Sequence, residues 1–351
     1  MVVKSKDESP LQLIVSSSPH LRDNESVSKI MWNVVLALAP AAIFSVFNFG
    51  LSALLTITVS ILGAVAAEAA IQKWQKVDVT VSDGSAVLSG LLLAMTLPPT
   101  IPWYMPLIGS VVAIGIAKHT LGGLGFNVFN PAHVGRAFLL AAWPVSMTAW
   151  AVSNLGVHAP DAITAATPLG FLKLNAFDYH ALGDHFGSMA NLYQSMFFGT
   201  RGGSLGETST LLLLLGGLYL LVRGYIRWQV PVVMIGTVGL LTWIFGGPVD
   251  SSKNLIAFFT GDPVFHMMAG GLVIGAFFMA TDMVTIPTSR WGQVIFAAGC
   301  GILTTLIRLK GGYPEGVCYS ILLMNSVTPL IDRYLVPTKF GSPATAKRRP
   351  A

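Results

Sequence analysis

MWNVVLALAPAAIFSVFNF, residues 31–49, and LSALLTITVSILGAVAAEAAIQ, residues 51–72, are separated by Gly50 alone and hold one charge between them, Glu68. An α-helix rises about 1.5 Å per residue, so about 20 apolar residues cover the hydrocarbon of a bilayer. A helix of a soluble domain needs a polar face, and neither stretch leaves one. The pair therefore predicts a hairpin of membrane-spanning helices.

The pattern continues along the chain. Ten apolar stretches are read as spans, at about 31–49, 51–72, 85–99, 104–121, 132–152, 207–224, 229–246, 263–281, 291–308 and 314–335. Of the 351 residues, 53% are hydrophobic and 11% charged, well below the roughly 25% charge of soluble domains. The fold class is thus an all-α integral membrane protein with about ten transmembrane helices. Several spans are short or interrupted, such as 85–99 with Leu97-Pro98-Pro99, and 314–335 with Pro314 and Pro329. Irregular backbone at membrane depth survives only against protein or a wet cavity, so the breaks point to an interior site.

Charge counting orients the spans. With the N-terminus inside, sixteen of the 21 Lys and Arg fall on the inner side. Five fall outside: Lys173, Arg201, Lys253, Arg308 and Lys310. This bias puts both termini in the cytoplasm, with Arg308 and Lys310 running against it. The expected parts are a cytoplasmic segment 1–30, a membrane repeat 31–152, an outer segment 153–206, a second repeat 207–336 and a cytoplasmic tail 337–351. Residues 1–27 lack the build of a cleavable signal peptide, so the first span is expected to stay. The net charge of +5 does not point to nucleic acid, because the cations sit at the ends of apolar runs and form no aromatic-interleaved stripe. Cys300 and Cys318 are too few for an iron–sulfur cluster and read as small buried hydrophobes. No catalytic residue and no metal-ligand set is read from the chain.

The two halves echo each other. Thr285-Ile286-Pro287 lies 185 positions after Thr100-Ile101-Pro102, and Gly311-Gly312 lies 189 after Gly122-Gly123. Five spans per half force opposite orientations, so the expectation is a five-plus-five inverted repeat.

The segment between the halves contains Asp161-Ala162-Ile163-Thr164-Ala165-Ala166-Thr167, followed by Pro168. This resembles the flavinylation motif Asp-x-x-(Ser/Thr)-(Gly/Ala)-Ala-Thr, in which a flavin transferase joins FMN to the last Thr through a phosphoester. Ala165 stands where Gly is commoner. Pro168 biases Thr167 to extended backbone, where its hydroxyl could be offered to a modifying enzyme. Ser18-Pro19-His20, Asp83-Gly84-Ser85-Ala86, Gly122-Gly123-Leu124-Gly125-Phe126-Asn127-Val128-Phe129-Asn130-Pro131, Gly203-Ser204-Leu205-Gly206-Glu207 and Tyr313-Pro314-Glu315-Gly316 occur in order. With them, residues 18–340 resemble the D subunit of Rnf ion-translocating electron-transport complexes. That subunit is similar to the B subunit of the Na+-pumping NADH:quinone oxidoreductase.

The resemblance implies a membrane subunit of a redox-driven pump that passes electrons between ferredoxin and NAD, coupled to Na+ or H+. It implies covalent FMN on Thr167, with Asp161, Thr164 and Ala166 as motif, and a second, non-covalent riboflavin. It implies Rnf partners A, B, C, E and G, a flavin transferase, lipid, and the bacterial inner membrane. Intramembrane charges are the remaining candidates. Asp282 and Glu315 read as flavin or ion-path residues, or as helix caps. Arg136 reads first as a charge at the inner boundary, and second as the partner of a flavin or carboxylate. Glu68 reads as a paired or snorkelled carboxylate, Glu207 as a first-turn helix charge, and His133 and His266 as packed histidines. The competing readings are a five-plus-five channel or transporter without redox chemistry, and a B-type subunit of a quinone-reducing pump.

Overall fold

In the computed structural model, residues 25–120, 122–151, 167–250 and 255–336 are described. Helix α1 (Val27–Phe49) starts at Ser26, whose hydroxyl accepts from Lys29 N, and α2 (Leu51–Trp74) follows after Gly50. Gly50 has φ of 71°, which a side chain would resist, and this permits the one-residue reversal. Next come α3 (Ser85–Met95), α4 (Tyr104–Val112) running on as a π-helix (Ala113–His119), α5 (Pro131–Ala142) and α6 (Pro144–Thr148). Three short helices follow, α7 (Pro168–Leu174), α8 (Tyr179–His185) and α9 (Met189–Phe198). Then come α10 (Thr210–Val222), α11 (Gln229–Phe245), α12 (Pro263–Met268) and α13 (Leu272–Ile274), which continues as a second π-helix (Gly275–Met279). Helices α14 (Arg290–Lys310) and α15 (Val317–Tyr334) complete the described chain. The described β-structure is one two-residue ladder, Val249–Asp250 against Leu255–Ile256.

Helices α1, α2 and α14 are long and apolar enough to cross a membrane by length and composition; α3, α4 with its π extension, α10 and α11 are shorter apolar helices. Their outward faces are apolar as well. Leu36, Ile43 and Phe47 on α1 and Leu51, Leu55 and Leu62 on α2 are exposed at helical spacing. Polar side chains such as Ser45, Asn48, Ser60 and Glu68 on the same helices are buried. Apolar outside and polar inside is the arrangement lipid selects.

Several expected spans differ in detail. The stretch 132–152 is not one helix. Pro144 disfavours helical backbone at Trp143, which sits at φ −134°, ψ 64°, and the helix restarts as α6. The stretch 85–99 stops at Met95, because Pro98 and Pro99 supply no N–H to continue it. The stretch 263–281 is cut at Gly270 and Gly271, both at positive φ. Residues 153–206 hold no spanning helix among those described, yet α7–α9 build a small core of Leu169, Leu172, Leu182, Leu192 and Met196 against Phe265 of α12.

Packing is closest where side chains are smallest. A Cβ on Gly90 of α3 would meet Ser60 O of α2 at 2.7 Å and Ile61 Cα at 2.8 Å. Both are backbone atoms, so α2 and α3 would have to separate. Gly90→Ala is therefore expected to cost about 1–3 kcal/mol, read as a lowered unfolding temperature of the detergent-solubilised protein.

Candidate functional site

The two broken helices meet inside the bundle, and a buried arginine serves each break. At the end of α3 the carbonyls of Thr96 and Leu97 have no helical partner. Arg136 of α5 donates from Nη1 to Thr96 O at 2.5 Å, and Leu205 N donates to Leu97 O at 3.1 Å. At the end of α12, Arg308 of α14 donates to His266 O at 2.6 Å, Ala269 O at 2.7 Å and Gly270 O at 3.3 Å. Each cation thus sits at the electronegative end of an interrupted helix.

A cavity of about 340 Å³ lies between the breaks, lined among others by Thr96, His133, Arg136, Gly270, Gly271 and Glu315. Arg136 forms an ion pair with Glu315 through Nη2. Glu315 Oε1, Glu207 Oε1 and both ring nitrogens of His133 are buried without a partner among the described residues. Arg136 and Glu315 are therefore brought together, 179 positions apart in sequence. The boundary reading of Arg136 is corrected, since the side chain is buried and its charge is used on Glu315 and a helix end. Glu207 is also corrected: it belongs to a 3-10 turn, Leu205–Glu207, and α10 is capped instead by Ser209. Arg308, counted as an outer topology charge, is 1% exposed and is an internal residue. His133 and His266 are packed as expected.

Asp282 lies apart from this pair. Its carboxylate accepts from Val284 N at 3.3 Å and Thr285 Oγ1 at 3.4 Å, closing a turn. It also lines a larger cavity with about 770 Å³ of free space, walled by α1, α3, the segment Leu124–Pro131 and the second π-helix. Phe277, Phe278 and Tyr225 give it aromatic surface, while Ser89, Asn127, Asn130, Lys118 and Asp282 give it a polar rim. A flat ring system with polar edges suits such a lining.

Lys118 carries a constellation that sequence reading missed. Its Nζ lies 2.7 Å and 2.9 Å from the two oxygens of Glu68 and 2.6 Å from Ser85 Oγ. Gln72 Nε2 donates to Glu68 Oε1 at 3.4 Å and to Thr80 Oγ1 at 2.8 Å. The pairing expected for Glu68 is found, and its partner is on a π-helix, a form common at functional positions. The available signal was a lysine inside the apolar run 104–121.

Thr167 is extended, with φ −59° and ψ 154°, as Pro168 requires. The remaining motif residues Asp161, Thr164, Ala165 and Ala166 lie outside the described residues. The hydroxyl of Thr167 is not freely offered: the residue is 5% exposed, and Oγ1 accepts from Gly170 N at 3.1 Å as the cap of α7. It lies on the wall of a cavity of about 380 Å³, shared with Met196, Arg201, Glu207, Met268 and Gly270. Lys173 of α7 fastens this region to the end of α14, donating to Gly311 O at 2.5 Å and Tyr313 O at 3.0 Å. Thr167 and the end of α14 are thereby on one side of the bundle.

Two tyrosines buttress the same region. Tyr179 donates to Gly246 O at 2.8 Å, and Tyr193 donates to Asp262. Burial pushes the Tyr179 phenol up to about 12. Burial and the Asp262 carboxylate raise Tyr193 as well. A raised folded-state pKa means stability that is complete below the ordinary value near 10 and lost as pH climbs through the folded value. Unfolding temperature should fall between about pH 10 and 12, while absorbance at 295 nm shows these tyrosines titrating late.

A family model described as NQR2, RnfD, RnfE matches residues 14–341. The chain belongs to that family. The D subunit of a proton-translocating ferredoxin:NAD(+) oxidoreductase complex from Clostridium ljungdahlii is 63% identical over 328 residues, 93% of this chain and 96% of the relative. The D subunit of a Na(+)-translocating ferredoxin:NAD(+) oxidoreductase complex from Acetobacterium woodii is 45% identical over 333 residues, 94% and 96% of the two chains. The D subunit of an ion-translocating oxidoreductase complex from Stutzerimonas stutzeri is 41% identical, covering 92% and 94%. The resemblance read from the motifs is borne out, and the chain is a multi-pass membrane protein of this family.

Proposed function

We propose that this chain is the D-type membrane subunit of a ferredoxin:NAD+ oxidoreductase complex that moves ions, and that Thr167 carries covalent FMN. The supporting observation is 63% identity along nearly the whole chain to a D subunit of such a complex, together with the Asp161–Thr167 motif. The relatives are D subunits, which favours this reading over a B-type subunit of a quinone-reducing pump.

Thr167 fits the role in position. Its hydroxyl stands at the N-terminus of α7, on the wall of a cavity that it shares with Arg201 and Glu207. Flavin, when bound, would supply the redox chemistry. The chain's own part is to hold the phosphoester at Thr167 Oγ1 and to fix α7 through Lys173 on α14. The lining of the larger cavity suits riboflavin in chemistry, by the aromatic walls of Phe277, Phe278 and Tyr225 and the polar rim of Asn127, Asn130 and Asp282. Arg136 and Glu315, buried between the broken helices, suit an internal charge relay for the ion path.

The same proposal includes five-plus-five organisation, with 31–152 and 207–336 as inverted repeats, 153–206 outside and both termini in the cytoplasm of a bacterium. Supporting it, α2 packs on α3 and α4 as α11 packs on α12 and α14. The third element of each half is the broken one. The partners are the other Rnf subunits (A, B, C, E and G), a flavin transferase and lipid. Mass spectrometry of the intact chain, co-expressed with the transferase, tests the central claim. FMN added at Thr167 is expected, and an unmodified Thr167 peptide from an otherwise assembled complex would refute it.

A further inference from the structure

Among the described residues, Arg201 is a cation without a counter-charge. Its guanidinium lies 3.9 Å from the centroid of the Phe186 ring, and Nε donates to Ser195 Oγ at 2.5 Å. Nη1 is buried and has no acceptor among the described residues. Nor does Arg201 make an ion pair among them. Burial lowers its pKa to about 10, so it keeps its charge at neutral pH. A buried charge-bearing donor left unsatisfied is costly, and such a group marks a place where an acceptor is missing.

The same cavity wall carries Thr167 and Gly202. Most of the remaining lining is apolar, from Leu169, Met196 and Met268. Its one carboxylate, Glu207, neighbours the Glu315 carboxylate as well as Arg136 and Arg308. A phosphate esterified twice carries one negative charge at any physiological pH and presents two free oxygens. A guanidinium held by an aromatic face and a hydroxyl, with Nη1 unclaimed among the described residues, can donate to such an anion.

We propose that Arg201 is the counter-charge of a phosphodiester on Thr167, and that the cavity shared by Thr167, Arg201 and Gly202 is its seat. The inference rests on the flavin reading of Thr167 and adds what holds the tether still. Arg201 is a positioning residue: it fixes the phosphate, so the ring swings from one anchored point and not from a free side chain.

The test compares the full chain with flavin, from co-expression with the transferase, and without it, from expression alone. Wild type, Arg201→Gln and Arg201→Lys are purified in detergent. Two readouts are followed: the change in unfolding temperature on loading, and the 31P resonance of the diester in folded against denaturant-unfolded protein. Loading is expected to raise the unfolding temperature of wild type and to displace its 31P resonance from the unfolded position. Arg201→Gln should lose both effects, and Arg201→Lys should keep part of each. A purely structural arginine would lower the unfolding temperature equally with and without flavin. An unchanged loading shift and 31P position in whichever variant folds overturns the proposal. Wild type that takes no flavin at Thr167 sinks the flavin reading and this inference with it. Flavin on Thr167 with unaltered shifts sinks the role of Arg201 alone.

Discussion

Thr167→Ala is expected to abolish the fluorescent band that covalent flavin leaves in a denaturing gel. The phosphoester needs an oxygen nucleophile at that Cβ, and no other hydroxyl occupies the final position of the motif. The substitution also removes the cap of α7, where Oγ1 accepts from Gly170 N. Loss of such a cap costs about 1 kcal/mol, so α7 would loosen somewhat but stay in place. Its anchors are independent of Thr167: Leu169 and Leu172 are buried in the small core, and Lys173 binds the end of α14. Thr167→Ser separates the two effects, because serine keeps both the cap and the nucleophile. The expected series is full labelling for wild type, substantial labelling for Thr167→Ser, and none for Thr167→Ala, whose unfolding temperature should lie close to that of unloaded wild type. A fluorescent band in Thr167→Ala would place the flavin elsewhere. The buried hydroxyl adds a kinetic expectation: a purified, folded, unloaded chain should label more slowly than one labelled during expression, because α7 must open first.

Hydropathy made the helical membrane fold legible, since residues 31–72 leave no soluble alternative. Pro98-Pro99 marked the break after α3, whereas the breaks at Pro144 and at Gly270-Gly271 fell inside stretches read as single spans. What periodicity and composition do not encode is how a break is satisfied. Arg136 and Arg308 looked like boundary charges because a lone arginine at the end of an apolar run is read as topology. Only the meeting of α3 with α5, and of α12 with α14, shows each one turned onto orphan carbonyls. Glu315 was noticed as a costly intramembrane acid, but its partner lies 179 positions away, beyond any local pattern. Thr167 was legible from a motif. Its burial was not, because that depends on α9 and α12 packing over α7.

Lys118→Met is expected to have the largest effect on stability. Glu68 and Lys118 are each 1% exposed, and Lys118 Nζ contacts both carboxylate oxygens and Ser85 Oγ. Among the described residues, removing the ammonium leaves the Glu68 charge with Gln72 and the more distant His119, whose Nε2 is 3.6 Å away. Breaking one side of a buried pair costs about 3–5 kcal/mol, because the remaining charge keeps its desolvation penalty and loses its compensation. The damage would spread through Ser85, the first residue of α3 and a neighbour of the large cavity. The single variant should therefore give poor yield and a much lower unfolding temperature in detergent. The pair itself is a different matter. Two charges taken out of water gain little over well-packed apolar groups, so replacing both can be neutral. Glu68→Leu combined with Lys118→Met should recover most of the lost stability, provided the new side chains fill the space. If the double variant is as unstable as the single one, the pair is holding the π-helix in register and is not merely offsetting its own burial. Flavin content of the rescued double variant then decides function. Retained stability with loss of the non-covalent flavin would place Lys118 on the working rim of that cavity, whereas retained flavin would leave the pair a device for closing α2 onto α4.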